Sequence, residues 1–352
     1  MKDCYVNGIG CISAQNSSED FELENYQFLT ERITHAHKPN YRDYIKPAMI
    51  RRMSTGVKMG VVAATIAMKE ARLENPDAII SGTGLGCSID SDKFLKKIVD
   101  NNEEFLTPTS FIQSTHNTVG AQIALGIGCK AYNVSYVHNA LSFESAMIDA
   151  QLMLNEGEEK IVFGGVDELG GYTTSLFDLI GHIKKEELIE NGVLNSKTRG
   201  AIFSEGSQFF VLEDKKSDSS YAKLVDVATH NVLAKNEIEG KLVAFLNSNN
   251  LSVSDIDVII LGVNGDSDYD RIYTYLQESI FKKTQQVSYK QLSGEYNTAS
   301  AFGFWTACKL LKNQSIPECL KLNEIETGSI KKVLLYNQYR GENHSFTLLG
   351  SC

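Results

Sequence analysis

The feature that most constrains this chain is an alternation of short apolar runs and longer helical patterns that occurs twice in the same order. The first round places strands at 4–9, 78–82, 132–137, 160–165 and 201–212, with helices at 52–72, 110–125 and 142–155 between them. The second places strands at 222–229, 258–263, 286–289, 332–336 and 345–349, with helices at 238–249, 268–281 and 298–312. Each round reads strand, helix, strand, helix, strand, helix and two closing strands, and such alternation predicts a parallel or mixed sheet. A duplicated βαβαβαββ unit implies an α/β fold of two similar halves packed face to face. The five layers would run helix, sheet, helix, sheet, helix, with halves at residues 1–214 and 215–352. The polar stretch DKKSDSS at 214–220 marks the join.

Charge and cysteine usage narrow the function. With 44 acidic against 34 basic residues the net charge is −10, whereas a nucleic-acid protein shows a basic face. One basic cluster stands out, Lys46, Arg51, Arg52 and Lys58. The seven cysteines are scattered, odd in number and without a CxxC pair, which predicts reduced thiols rather than disulfides or zinc. The apolar runs are too short to span a bilayer, and the N-terminus enters a strand without a signal-peptide core. These features predict a cytoplasmic protein.

Two glycine-rich turns follow strands, GIGCIS at 8–13 and GTGLGC at 82–87. Neither completes GxGxxG, since Ser13 and Cys87 take the third glycine position, so they read as tight strand exits. Cys87 at such a turn reads as a buried thiol, and His116 in QSTHNTVG as a satisfied or interface histidine. No GxSxG, HExxH or DxDxDG pattern occurs. What remains is a set of three strand-exit loops: YNVSYVHNALSFESA (132–146), VIILGVNGDSD (258–268) and YKQLSGEYNTASAFG (289–303). Loops at the carboxyl ends of strands are where α/β folds build sites.

Read in order, the pieces YVNGIGCIS, IRRMSTGVKMGVVAATIAMKEARL, AIISGTGLG, PTSFIQSTHNTVGAQIALGIGCKAYNVSY, KIVFGGVDE and IFSEGSQFFVLE, followed by the three loops, resemble the β-ketoacyl synthases of the thiolase superfamily. The resemblance covers nearly the whole chain and implies the thiolase-like fold, no cofactor and no metal. Active members attack with a cysteine at a strand-to-helix turn, activated by the helix N-terminus, while two histidines stabilise the enolate and oxyanion. By motif, the cysteine position falls on His138, the first histidine on Asn264 (followed by Gly265) and the second on Glu295, while the family lysine is retained as Lys290. The closing loop reads NQYRGENHSF, with Arg340 and Glu342 where small residues usually sit. The resemblance places Lys290, Arg340 and Asn343 along the substrate site.

Imidazole cannot hold an acyl chain as a stable thioester, and a carboxylate at position 295 would repel an enolate. The three substitutions together imply lost condensing chemistry. The resemblance then implies a chain-length-factor-like partner of an active ketosynthase, akin to those of bacterial aryl-polyene or flexirubin-type pathways. Such a chain pairs as a heterodimer (or, lacking its partner, a homodimer) through the strand at 132–137, and it works with an acyl carrier protein. Two other readings are open. His138 and Glu295, facing each other across the pseudo-twofold, could serve as a general base on an acyl thioester. A scaffold could instead dock acidic carrier protein on Lys46, Arg51, Arg52 and Lys58 without processing its cargo.

Overall fold

The opening strand, β1 (Tyr5–Ile12), carries two glycines because a helix lies directly against it. In this computed structural model, which describes residues 2–15, 23–106 and 108–352, that helix is Thr55–Ala71. A Cβ on Gly10 would stand 1.9 Å from the Ala63 carbonyl oxygen, and one on Gly8 2.1 Å from that of Ala67. Only glycine permits this approach. Ser54 caps the helix by accepting from the Val57 N–H, and Arg72 ends it in the left-handed region.

The strands that follow are β2 (Ile33–Thr34), β3 (Ala78–Gly82), β4 (Tyr132–Tyr136), β5 (Lys160–Asp167), β6 (Phe203–Ser204), β7 (Gly206–Glu213), β8 (Ala222–Val232), β9 (Val258–Leu261), β10 (Gln285–Ser288), β11 (Lys332–Tyr339) and β12 (Glu342–Gly350). Among the described residues, β2 and β6 form a small parallel ribbon and the other ten strands one hydrogen-bonded sheet, in the order β10-β9-β11-β12-β8-β1-β7-β5-β3-β4. Outward from its centre, each half has the same order: first strand, fifth, fourth, second, third. In each half the inner pairs are antiparallel (β1 with β7, β8 with β12) and the outer pairs parallel (β3 with β4, β9 with β10). The halves meet where Tyr5 and Val6 of β1 pair with Lys223 and Ala222 of β8.

Side-chain alternation along the strands assigns the layers. Ile79, Val162, Phe209 and Val211 face the helices Thr55–Ala71 and Thr118–Ile127 in one apolar cluster. Their neighbours Ala78, Ile80, Ile161, Phe163, Phe210 and Leu212 face the opposite way, into a central cluster built on the helices Ser142–Glu156 and Ser300–Asn313. Val258, Ile260, Val333 and Leu335 of the second half enter this same cluster. Ile259, Leu261, Leu334 and Tyr336 point out to the helices Ile238–Ser248 and Arg271–Glu278. That is the five-layer, thiolase-like arrangement, with two buried helices sandwiched between the halves. Phe143, Phe163, Phe210 and Phe304 stitch its middle, with ring centroids 4.8–6.0 Å apart.

Local departures from the sequence reading have identifiable causes. The single helix expected at 110–125 is two, Pro108–Ser114 and Thr118–Ile127. The Thr118 hydroxyl donates back to the Ile112 carbonyl and closes the first helix there. The strand expected at 201–212 is interrupted at Glu205, whose carboxylate accepts from the Ala36 and Leu169 N–H groups and meets His35. Two helices, Ser88–Asp100 and Gly171–Leu179, were not anticipated.

Candidate functional site

The three strand-exit loops end on one network. β4 stops at Tyr136, and the chain turns through His138 and a short 3-10 segment, Asn139–Leu141, into the helix Ser142–Glu156. Asn139 adopts φ +47° to make that turn. The His138 N–H donates to Ser142 Oγ at 2.8 Å, and Ser142 Oγ lies 2.9 Å from the Thr83 carbonyl oxygen. Asp167, in the GGVD motif at the end of β5, is the hub. Its carboxylate accepts from Thr83 Oγ1 and the Gly84 and Leu85 N–H groups on one side, and from the N–H and hydroxyl of Thr298 on the other. Burial raises this carboxyl above the ordinary range, against the pull of its five donors. The motif signalled the residue; its role as a tie between loops from both halves needed the structure.

Asn264 and Glu295 do come together. Asn264 Nδ2 donates to Glu295 Oε2 at 2.6 Å, and Lys290 Nζ meets the same oxygen at 2.7 Å. Lys290 and Glu295 are buried, with side chains 0% and 3% exposed. Gly294, just before Glu295, has φ +68°, and a Cβ there would sit 2.5 Å from that of Ser204. Glycine therefore lets the KQLSGE loop dock on β6, where Ser204 N–H donates to the Glu295 carbonyl. The second loop is fixed by Asp270, which accepts from the Asn264 and Gly265 N–H groups. Lys184 Nζ reaches the Gly265 carbonyl oxygen at 2.9 Å, with burial holding its ammonium below the usual lysine range. Arg340 Nη1 pairs with Asp266 at 3.2 Å and lies over the Tyr269 ring. Asn343 is half-buried at the start of β12 with φ +54°.

His138 stands apart. It is exposed, and its side chain meets Ser145 Oγ, 3.3 Å from Nδ1. The expected His138–Glu295 bond is not made, because the carboxylate is held by Lys290 and Asn264 within its own half. Cys87 is buried beside Ser54, and burial pushes its thiol up to about 12, the opposite of an activated nucleophile. His116 is exposed and packs against Gly86.

Two surface features complete the picture. Arg51, Arg52 and Lys58 line a cleft of about 250 Å³ together with Lys93, Asp90 and Ser110; Lys46 is exposed but outside this lining. Along the open edge of β4, Tyr132, Val137, Leu125 and Leu152 are exposed, and Leu95, Val99, Phe111 and Ile112 are exposed on the neighbouring helices.

The order of strands, the buried central helices and the position of the three loops match a known architecture. Residues 29–169 match the family described as beta-ketoacyl synthase, N-terminal domain. The chain has the thiolase-like fold of the β-ketoacyl synthases. Solved structures with this ketosynthase fold include the ishigamide ketosynthase/chain length factor, at 15% identity and TM-score 0.81, covering 100% of this chain and 99% of that one. A ketosynthase in complex with its chain length factor from Xenorhabdus doucetiae aligns at 14% identity and TM-score 0.79, covering 100% and 98%. A type II polyketide acyl-carrier protein in complex with its ketosynthase aligns at 15% and 0.78, covering 100% of each chain. No curated protein matches. No helix among the described residues is long and apolar enough to cross a membrane.

Proposed function

We propose that this chain is the non-condensing, chain-length-factor-like subunit of a ketosynthase that builds a polyketide or polyene on a carrier protein. The observation that carries this reading is the closed Lys290–Glu295–Asn264 set. Condensation needs neutral donors aimed at an oxygen that becomes negative. Here the two donor positions are occupied by a carboxylate and an amide that satisfy each other and a lysine, in a buried setting. The nucleophile position carries an imidazole, which cannot supply the thioester. The open apolar edge at β4 supports a subunit that works under cover of a partner. So do the structural neighbours whose titles name a ketosynthase together with a chain length factor.

In this reading the two halves divide at residues 214 and 215, the partner brings the cysteine, and both subunits work in the cytoplasm. Lys290, Arg340 and Asn343 shape the vestigial pocket wall. The Arg51, Arg52 and Lys58 cleft, with Lys46 nearby, receives the acidic carrier protein, and the pathway class is that of aryl polyenes. Nothing in the geometry favours a His138/Glu295 base, since the two groups do not pair.

The test is co-expression with a ketosynthase that has an intact Cys-His-His set, with the tag on this chain alone. The purified material receives malonyl-carrier protein and a starter acyl thioester. A one-to-one complex, active only with the partner's cysteine intact, is the expected result. A lone homodimer that turns over an acyl thioester through His138 would refute the proposal.

A further inference from the structure

The basic cleft is backed by a buried acid. Among the described residues none of Arg51, Arg52 and Lys58 pairs with a carboxylate, and Lys58 Nζ lies instead over the Tyr41 ring, 5.5 Å from its centroid. Lys93, on the same cleft, pairs with Asp90 at 3.4 Å. The helices Thr55–Ala71 and Ser88–Asp100 both begin in this lining, at Thr55 and next to Ile89. Behind it lies Glu168, 3% exposed, directly after β5. Its Oε2 accepts from the Gly56 N–H and its Oε1 from the Ile89 N–H at 2.9 Å, so each oxygen serves the second residue of one helix. The Ser88 hydroxyl donates to the Glu168 carbonyl and fixes the backbone as well. The carboxyl therefore sits where both helix dipoles present their positive ends. Burial nevertheless raises it to about 7 against the pull of the two N–H groups, with Asp90 and Glu205 adding repulsion. Lys58 from the first helix and Cys87 from the turn before the second also face it, and Glu205 is itself faced by His35 and Tyr41.

We propose that Glu168 gates the basic cleft by a proton: the cleft holds an acidic carrier protein more tightly with the Glu168 carboxyl neutral and less tightly with it ionised. This rests on the carrier-docking reading above and adds to it a regulation by pH. Ionised, Glu168 offsets the positive ends of both helices and sets a negative charge behind the cations. Neutral, it leaves those helix ends and Arg51, Arg52 and Lys58 to an anion in the cleft. Arginine and lysine keep their charge near neutral pH, so the change in the cleft comes from the carboxyl. The sign follows: docking strengthens as pH falls from 8 to 6. Linkage runs both ways, so a bound acidic partner draws a proton onto Glu168.

Titration calorimetry of the full chain with an apo acyl carrier protein of a type II system, at fixed low salt and at pH 6 and pH 8, reads the effect. The expected result is roughly fivefold weaker binding at pH 8, the low end of the usual coupling between two sites. Glu168→Gln, neutral at every pH, should bind at pH 8 as the unaltered chain does at pH 6. A second measurement needs no variant: titrations at pH 7 in buffers of different ionisation enthalpy should show proton uptake on binding. Equal affinity at pH 6 and pH 8 without proton uptake overturns this inference and leaves the docking reading standing. So does a pH dependence that survives unchanged in Glu168→Gln, because another group then carries the proton. No binding at either pH overturns both.

Discussion

The buried Lys290–Glu295 pair makes the sharpest quantitative prediction. The two charges are 2.7 Å apart with side chains 0% and 3% exposed, so neither can recover its hydration if the other is removed. Glu295→Gln leaves an ammonium buried without its counter-charge, and Lys290→Met leaves a carboxylate with Asn264 alone. Each single change should cost about 3–5 kcal/mol, the usual penalty for an uncompensated buried charge. The double change, which removes both charges and keeps an amide for Asn264, should cost far less than the sum and lie within about 2 kcal/mol of the original. At roughly 2.1 cal/mol/K of unfolding entropy per residue, ~4 kcal/mol corresponds to a midpoint drop of about 5 °C for a chain of this size. Scanning calorimetry of the four proteins at pH 7 completes the cycle. If the drops of the two single variants simply add in the double variant, the side chains are uncoupled. The pair would then not be what closes the site.

Other consequences follow from the same structure. Glu168 is buried and accepts from the N–H groups of Gly56 and Ile89, and burial raises its carboxyl to about 7. A raised carboxyl favours the fold below its unfolded value of about 4.5 and loses that contribution as pH rises through 7. Glu168→Gln should therefore flatten the stability profile between pH 5 and pH 8, by up to about 3 kcal/mol; an unchanged profile in paired calorimetric scans would exclude this carboxyl as the cause. Gly10→Ala should destabilise by more than ~3 kcal/mol, because the Ala63 backbone cannot retreat from a Cβ at 1.9 Å, and denaturant titration reads it directly. Arg51→Glu with Arg52→Glu should weaken binding of an acidic carrier protein at least tenfold at low salt, and an unaltered titration calorimetry curve would move the docking surface elsewhere. His138→Cys alone should give no condensation of malonyl-carrier protein, since the Lys290–Glu295–Asn264 set is untouched; product formation by mass spectrometry would count against the reading.

Much of the architecture was legible because it is written in period and order. Strands at 78–82 and 160–165 are apolar runs in which successive residues face two different helix layers, so neither face is polar and the run is continuous. The duplicated order of elements fixed the five layers without any single motif being decisive. The helices Ser88–Asp100 and Gly171–Leu179 escaped notice for a physical reason. Both lie at the surface and leave part of their apolar stripe exposed, Leu95 and Val99 on one and Leu176 and Leu179 on the other, so their apolar positions do not mark a face buried in the core. The break at Glu205 was equally hidden, because its three partners at His35, Ala36 and Leu169 are far away in sequence.

For the site, the sequence by itself determined which side chains are on offer: position 138, at a strand-to-helix turn, carries an imidazole and not a thiol, and no fold can alter that. It also determined which loops would converge, because a repeated topology sends equivalent strand ends to the same edge. Only the tertiary structure decided what the substituted residues do instead. Glu295 could have met His138 or Lys290, and sequence symmetry pointed to the first. Packing selected the second, because Lys290 sits one short helical turn before Glu295 in the same loop, Gly294 seats that loop on β6, and a carboxylate enclosed there must take the nearest cation. His138, left without that partner, stays exposed just beyond the end of β4, with Ser145 on the following helix beside its ring.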